Sequence, residues 1–529
     1  MILWPVFLYA ETHYSFKGIH SRLKKKEPEI LADAPHRVEP GHELPILILI
    51  KDAHLYPVQL NKILVELNQE NRRKNYVFPF NHLMIDTNWW YEILKIPRNH
   101  FSGNVLVNVK IEYTVQGKLR LINNDNYAGT SHNPLQVYFA RMPLPKKAGW
   151  YFGEFHCHTA YTSDQVEFGA PLKATAILAR VLGLNFFCAT DHSYDLDDLP
   201  DNYLKNDSEL RKWRQFLNEV ESLNRHSKDF IIIPGEEVSA GNAQNRNVHL
   251  LILNHRQFIP GDGDGAERWF RTRPALSIAE ILDQLENHAL AFAAHPEIRA
   301  PLLQWLLIRR GKWREIDYQH PRLNGLQIWN GSKEGLEEGL KSWIKLLLSG
   351  RKIFICGGND AHGNFNRFRQ IGLPFFTMRE NFLHLFGKVR TGIHIADRLC
   401  LNNIIEAMQK GHMIVTNGPF MDITLFNQSG QQATIGQTLP GNQFKLKIEC
   451  LSSEEFGPLT KLKIYFGDLS KHEEELFLEH NNFKELYHCF IEKNFLLPAQ
   501  KCYLRAELES FNGTEFFYCY TNPIWVECA

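Results

Sequence analysis

The chain has 529 residues, 44% apolar and 22% charged, a balance that excludes a disordered protein and predicts several folded domains. Lys plus Arg and Asp plus Glu both number 59, so no basic excess points to nucleic acid, and no apolar run is long enough to span a membrane. The nine cysteines are scattered and form no Cys-x-x-Cys pair; with an apolar N-terminus that lacks the basic stretch of a signal peptide, they predict a cytoplasmic, reducing environment.

Residues 1–148 read as a β-sandwich-like domain. Leu44–Ile50, Val58–Leu67 and Val105–Val115 are β-branched or alternating runs without helical periodicity. The proline-bracketed stretch Met142–Gly149 marks its end. From 149 to 420 short apolar strands alternate with amphipathic helices. The predicted helices include Leu172–Leu182, Leu210–Leu223 and Ile278–Leu285, the last capped by Ser277. The predicted strands are Phe152–Phe155, Asn185–Ala189, Phe230–Ile233, Val248–Leu253, Ala291–Ala294, Gly325–Trp329 and Lys352–Cys356. Such alternation implies parallel strands joined by helical crossovers. Residues 421–529 return to strands, with Asp422–Leu425, Phe444–Cys450, Leu462–Phe466 and Tyr503–Leu508, and read as a second β-sandwich-like domain.

Chemistry-bearing residues collect where the middle strands end. The first strand delivers His156 and His158, which share a face because strand residues alternate, and Asp164 lies just beyond. The second ends in Thr190-Asp191-His192, the third in Gly235-Glu236-Glu237, the fifth in Ala294-His295-Pro296 and the seventh in Asn359-Asp360-Ala361-His362; the fourth contains His249. Singly each has an ordinary explanation: His249 as a core histidine, His295 as the cap of a turn. In a parallel barrel the strand C-termini meet on one face, so together they predict a metal cluster. His255 and His288, on loops without that context, read as surface residues.

The series His156-x-His158, Asp164, Asp191-His192, Gly235-x-Glu237, His249, His295-Pro296 and Asn359-Asp360-Ala361-His362 resembles the PHP (polymerase and histidinol phosphatase) family over about residues 149–420. The flanking architecture and the Gly411–Pro419 segment resemble the branch named after carbaryl hydrolase. The spacing from His158 to Asp164 is one residue longer than the commonest family form, and Gln165 stands where a glycine is usual. The resemblance implies an α/β fold, a distorted seven-stranded (β/α) TIM-like barrel between the two β-sandwich-like domains. It also implies two to three divalent ions. His156, His158, Glu237 and Asp360 would hold one, with Glu237 bridging to a second held by His249 and His295; Asp164, His192 and His362 would hold a third. Glu237, Asp360 and His192 are the expected catalytic residues. Glu236 competes for the bridging place, and Asp191 is expected to orient an imidazole.

Mixed imidazole and carboxylate ligands suit Zn, Mn or Fe better than Mg or Ca. A metal-bridging hydroxide would need no separate nucleophile, and no Gly-x-Ser-x-Gly elbow is present. The expectation is a metal-dependent phosphoesterase acting on a small phosphorylated substrate, with no nucleic-acid or membrane partner. A carbamate, ester or amide hydrolase and a non-catalytic scaffold are the alternatives. Asn364, Arg367, Arg369 and Lys333 are the candidate substrate contacts, each with an equal reading as a solvated surface residue.

Overall fold

The computed structural model describes residues 27–70, 72–126, 133–162, 169–199, 202–263, 271–300, 302–368, 370–373, 376–379, 381–497 and 501–527. Two facing sheets build the N-terminal part. Glu29–Asp33, Leu44–Lys51 and Trp89–Ile96 form one; Val58–Gln69, Arg72–Ile85, Gly103–Val115 and Leu135–Phe139 dominate the other. Alternation creates the shared core, in which Val105, Val107, Val109 and Ile111 pack with Ile46, Ile48 and Ile50 from across the gap. Residues 140–149 have no regular structure and link this part to the strand that begins at Trp150.

The strands that carry the middle of the chain are β1 (Trp150–His158), β2 (Phe186–Ala189), β3 (Ile231–Gly241), β4 (Asn247–Leu253), β5 (Leu290–Ala293), β6 (Gly325–Asn330), β7 (Phe354–Gly358), β8 (Arg390–His394) and β9 (Met413–Thr416). The helices α1 (Leu172–Val181), α2 (Arg211–Arg225), α3 (Ile278–Asp283), α4 (Leu336–Leu348) and α5 (Leu401–Gln409) lie between them. Each obeys its apolar spacing: Trp213, Phe216 and Val220 are the buried face of α2. Ser277 caps α3 in a capping box with Glu280.

The expected α/β fold with a (β/α) TIM-like barrel is not what the chain forms. Strands dominate, with 33 strands against seven α-helices among the described residues. The expected barrel strands instead belong to one mixed sheet of sixteen, running β7-β6-β5-β4-β3-β2-β1-β8-β9 and on into Phe516–Thr521, Cys502–Phe511, Leu459–Asp468 and Glu473–His480. Two physical causes are visible. Only residues 242–246 separate β3 from β4, enough for a hairpin but not for a helical crossover, so these strands are antiparallel, as are β4 and β5. In addition β8 pairs antiparallel with the first residues of β1, Trp150–Gly153 against Thr391–His394, and so takes the edge that a closing β7 would need.

β7 nevertheless ends beside β1. A Cβ at Gly358 would stand 2.8 Å from the His156 nitrogen and 2.6 Å from Glu154 Oε1, so only glycine permits the approach. Ala361 and His362 then pair in parallel with Cys157 and His158. The remaining C-terminal strands, Gln432–Thr434, Phe420–Asn427, Gln443–Leu451 and His488–Leu496, make a four-stranded sheet. Its Ile423, Leu425, Leu446 and Ile448 pack on Leu462, Ile464, Leu504 and Leu508 of the long sheet. Asn522 stitches the two parts: it accepts from Ile355 N at 2.8 Å and donates to Ile355 O at 3.0 Å and Met413 O at 3.1 Å. Among the described residues no helix is long and apolar enough to cross a membrane.

Candidate metal centre

Glu237 is the hub. β3 carries it, and it is buried to 1% exposure. Five imidazoles from four other places in the fold face its two oxygens. His249 Nδ1 lies 2.7 Å from Oε1, His295 Nε2 3.2 Å and His156 Nε2 3.4 Å; His192 Nδ1 lies 3.1 Å and His158 Nε2 3.4 Å from Oε2. Asp360 closes the other side, its Oδ1 3.0 Å from His158 Nε2 and 3.3 Å from His156 Nε2. His362 stacks on His158 with ring centroids 4.0 Å apart. Three overlapping groups result, each with donor atoms within 4.8 Å of one another: His156, His158, Glu237 and Asp360; Glu237, His249 and His295; His158, His192 and His362.

Eight of the nine sequence-predicted ligands therefore converge, and Asp164 lies outside the described residues. The third group joins His158 to His192 and His362. Glu236 takes no part. As the neighbour of Glu237 on a strand it faces the other way, accepting from Ser193 Oγ at 3.0 Å and Ile259 N at 3.2 Å. Asp191 does not orient an imidazole: it accepts from Thr159 N, Thr159 Oγ1 and Thr162 N at 2.7–2.8 Å and so pins the turn after β1. Cys157 points into the core, as its alternation demands. His255 is buried beside Glu286 rather than at the surface.

The donor set fits cations. Glu237 can accept about four hydrogen bonds, and five ring nitrogens crowd it. The buried His156 Nε2 and Glu237 Oε2 make no well-aligned hydrogen bond despite their close neighbours. His156 Nδ1 is 2.9 Å from Gln327 Oε1, to which it donates, so its Nε2 lone pair faces the cluster when the ring is neutral. Mixed nitrogen and oxygen donors around a bridging carboxylate are what two or three borderline cations require. The backbone is strained at two of the ligands: His295 has φ 29° and Asp360 φ 52°, a region non-glycine residues seldom enter outside functional sites.

Electrostatics reflect this crowding. Burial alone would raise the Glu237 carboxyl, but His249 and His156 outweigh it and hold it well below its usual range. Burial would lower His156, yet Asp360 and Glu237 raise it to about 10. His192 and His295 are lowered, mainly by burial. A proton on His156 stabilises the metal-free fold below about pH 6.5, and that contribution fades as pH rises toward 10. A cation needs the His156 lone pair, so its uptake near pH 7.5 must expel this proton, and its affinity rises with pH across the same window. Titration calorimetry in buffers of different ionisation enthalpy checks this: at least one proton released per chain is expected, and none contradicts the ligand assignment.

Two supporting residues left little trace in the sequence. Glu154 accepts from His156 N at 3.1 Å, Asn359 N at 2.8 Å and Gly387 N at 2.9 Å, as well as from Asn359 Nδ2, and thereby sets the register between β1 and the Asp360 turn. Gln327, on the one strand expected to contribute nothing, orients His156. The expected substrate contacts lie elsewhere. Asn364 holds the carbonyl of His384, Arg367 turns toward Asp33, Lys333 lies over the Tyr518 ring and Arg369 is outside the described residues. Beside the cluster a cavity of about 170 Å³ is lined by His249, His295, Asp360, Asn330, Arg299 and Arg310 among others. A wider cleft of about 700 Å³, between α5 and the four-stranded sheet, touches none of the ligands.

No protein-family model and no curated protein matches the chain. Among solved structures, a β-glucuronidase from Bacteroides uniformis is similar at a TM-score of 0.16 and 10% identity over 94% of this chain and 61% of that one. The Parabacteroides merdae β-glucuronidase gives 0.19 and 8% over 95% and 65%, and trypsin-activated α2-macroglobulin from Escherichia coli 0.16 and 6% over 98% and 24%. The chain spans less than two thirds of the length of each. Likeness at this level defines neither fold nor activity.

Proposed function

We propose that this chain is a metal-dependent hydrolase, a phosphoesterase acting on a small phosphorylated molecule, related to the PHP family through its order of ligand motifs. The observation that carries the reading is the single buried carboxylate of Glu237, shared by two of the three overlapping ligand groups. His156, His158, Glu237 and Asp360 would hold one ion, Glu237, His249 and His295 a second, and His192 and His362 would contribute to a third, with Zn, Mn or Fe suited to the donors. Such ions supply Lewis acidity, which lowers the pKa of water and offsets charge on a phosphoryl oxygen. Glu237 fixes the spacing of the groups it joins. Asp360, whose side chain is 23% exposed, is the most exposed of the three ligands that line the cavity and can orient an incoming water through Oδ2. His192, lowered chiefly by burial, would offer a neutral ring to the third ion while its Nδ1 faces Glu237.

Cys157, Cys188, Cys356, Cys400, Cys450, Cys489 and Cys519 form no disulfide, which supports a cytoplasmic setting, and the balanced charge supports a small-molecule substrate over nucleic acid. Elemental analysis and then a panel of phosphomonoesters, phosphodiesters, carboxyl esters and carbamates tests the proposal. Two to three ions per chain and turnover of a phosphoester are expected. Retention of fewer than two ions after reconstitution with Mn, Zn or Fe overturns it, and turnover confined to esters or carbamates transfers the site to carbon chemistry.

A further inference from the structure

Arg390, the first residue of β8, is buried to 3% exposure where the N-terminal, middle and C-terminal parts of the chain meet. Lys388 precedes it by two positions; His36 and Arg37 reach it from the N-terminal part, and Glu455 and Phe456 from the C-terminal part. Its Nη1 donates to Gly387 O at 3.2 Å, but Nε and Nη2 have no hydrogen-bond partner among the described residues. Leaving the donors of a buried guanidinium unmet costs more than leaving a neutral group unmet. The two carboxylates that partly offset its charge are committed to Arg37. Glu455 gives both oxygens to Arg37 Nε, at 3.0 and 2.8 Å. Glu39 Oε1 meets Arg37 Nη1 at 2.9 Å and accepts from Leu144 N at 2.9 Å. Burial and then the repulsion of Arg37 accordingly lower Arg390 to about 10.

Nε and Nη2 form one edge of the guanidinium, and their two parallel N–H bonds match the two oxygens of a single carboxylate. The surroundings set the charge that such a ligand can carry. The Phe152 and Phe456 rings lie 5.9 and 5.6 Å from the guanidinium carbon and make apolar walls. The cost of taking an ion out of water climbs with the square of its charge, so these walls favour a monoanion over sulfate or phosphate. Lys388 and Glu455 are partly exposed and leave a route from solvent for a small solute. We infer that Arg390 is the fork of a second ligand site, separate from the metal centre, which takes the carboxylate of a small, singly charged organic acid. None of the clustered metal-ligand candidates is among its donors. The inference therefore stands apart from the metallohydrolase reading above.

The test titrates sodium formate into the full chain by calorimetry at constant ionic strength, as purified and after chelation, with sodium sulfate as the comparison. The wild-type chain should bind formate at a position that survives chelation, and bind it more tightly than sulfate. Arg390→Lys keeps the charge but removes the fork, so this chelation-resistant binding should weaken by about fivefold or more. A crystal of the wild-type chain soaked in formate needs no variant and covers the case in which Arg390→Lys fails to fold. There both formate oxygens should lie within hydrogen-bond distance of Nε and Nη2. Formate binding that disappears on chelation belongs to the metal centre and overturns the inference, as does an absence of binding or a preference for sulfate. A loss of less than about fivefold in the folded variant overturns it too, as does a soaked crystal without formate across Nε and Nη2.

Discussion

Glu237→Gln is expected to reduce hydrolysis by about 10³-fold or more, equivalent to about 4 kcal/mol of lost barrier reduction. The amide preserves size and shape but removes the charge that five imidazoles and the proposed ions share. Its NH₂ also presents donors where ring nitrogens offer lone pairs. Metal content should fall with activity, since all but one of the three groups contain this side chain. Glu236→Gln is the internal control. Burial raises the Glu236 carboxyl to about 8, so near neutrality the buried acid is already uncharged, and an amide is a close replacement. A carboxyl raised in this way contributes stability that is full below about pH 4.5 and lost progressively by about pH 8, so the control variant should gain on wild type across that window and keep the gain above it. Steady-state kinetics, elemental analysis and urea unfolding at pH 6 and pH 9 check the pair. Retained activity in Glu237→Gln would remove the bridging role, and loss confined to Glu236→Gln would reverse the two assignments.

Chelation is expected to have the next largest effect. An ion held only by the folded chain, at about a thousandfold excess over its dissociation constant, stabilises by about 4 kcal/mol. For a cooperative unit of about 150–250 residues that is a melting shift of roughly 10 °C per ion. Activity and the added thermal stability should vanish together and return together on reconstitution. His295→Ala separates ligand from core. It belongs to one group only, so the variant should lose part of the metal-dependent shift while its metal-free melting temperature stays near that of wild type. A core deletion behaves oppositely, costing about 2–5 kcal/mol with or without metal. If chelation leaves the melting temperature unmoved in calorimetry, the cluster holds no structural ion; if His295→Ala melts early without metal, His295 is a packing residue.

The clustered histidines and carboxylates were legible because strand ends and residue type coincide. β1 to β7 all overlap strands expected from short apolar runs; alternation required Glu236 and Glu237 to face opposite ways, and the resemblance favoured Glu237 as the inward one. The sheet was not legible, because alternation of strand and helix says nothing about direction when a hairpin intervenes. The expected third strand stopped at Ile233 and left room for a crossover before Val248, whereas β3 runs on to Gly241 and leaves only a short turn before β4. β8 escaped notice altogether: Arg390-Thr-Gly-Ile-His394 is too short and too polar to stand out, yet it fixes the edge of β1. Arg310, Gln327 and Glu154 act through partners far away in sequence, respectively His249, His156 and Asn359. Such contacts exist only once the sheet is assembled.

The seam at Asn522 limits how this centre can travel. Ile355, which it grips through both backbone groups, lies in β7, the strand that leads into the Asp360 turn. β9, one strand beyond β8, passes its hydrogen bonds to Phe516–Thr521. A fragment ending near residue 420 would therefore bare the edge of β9 and release the far end of β7, leaving unpaired N–H and C=O groups that recruit other chains. Truncation there is expected to yield an aggregating stub rather than a portable domain. For gene fusion, circular permutation or recombination between lineages, the heritable cassette is the whole stretch from Trp150 through Trp525, with its C-terminal strands as much a part of the scaffold as the ligand-bearing ones.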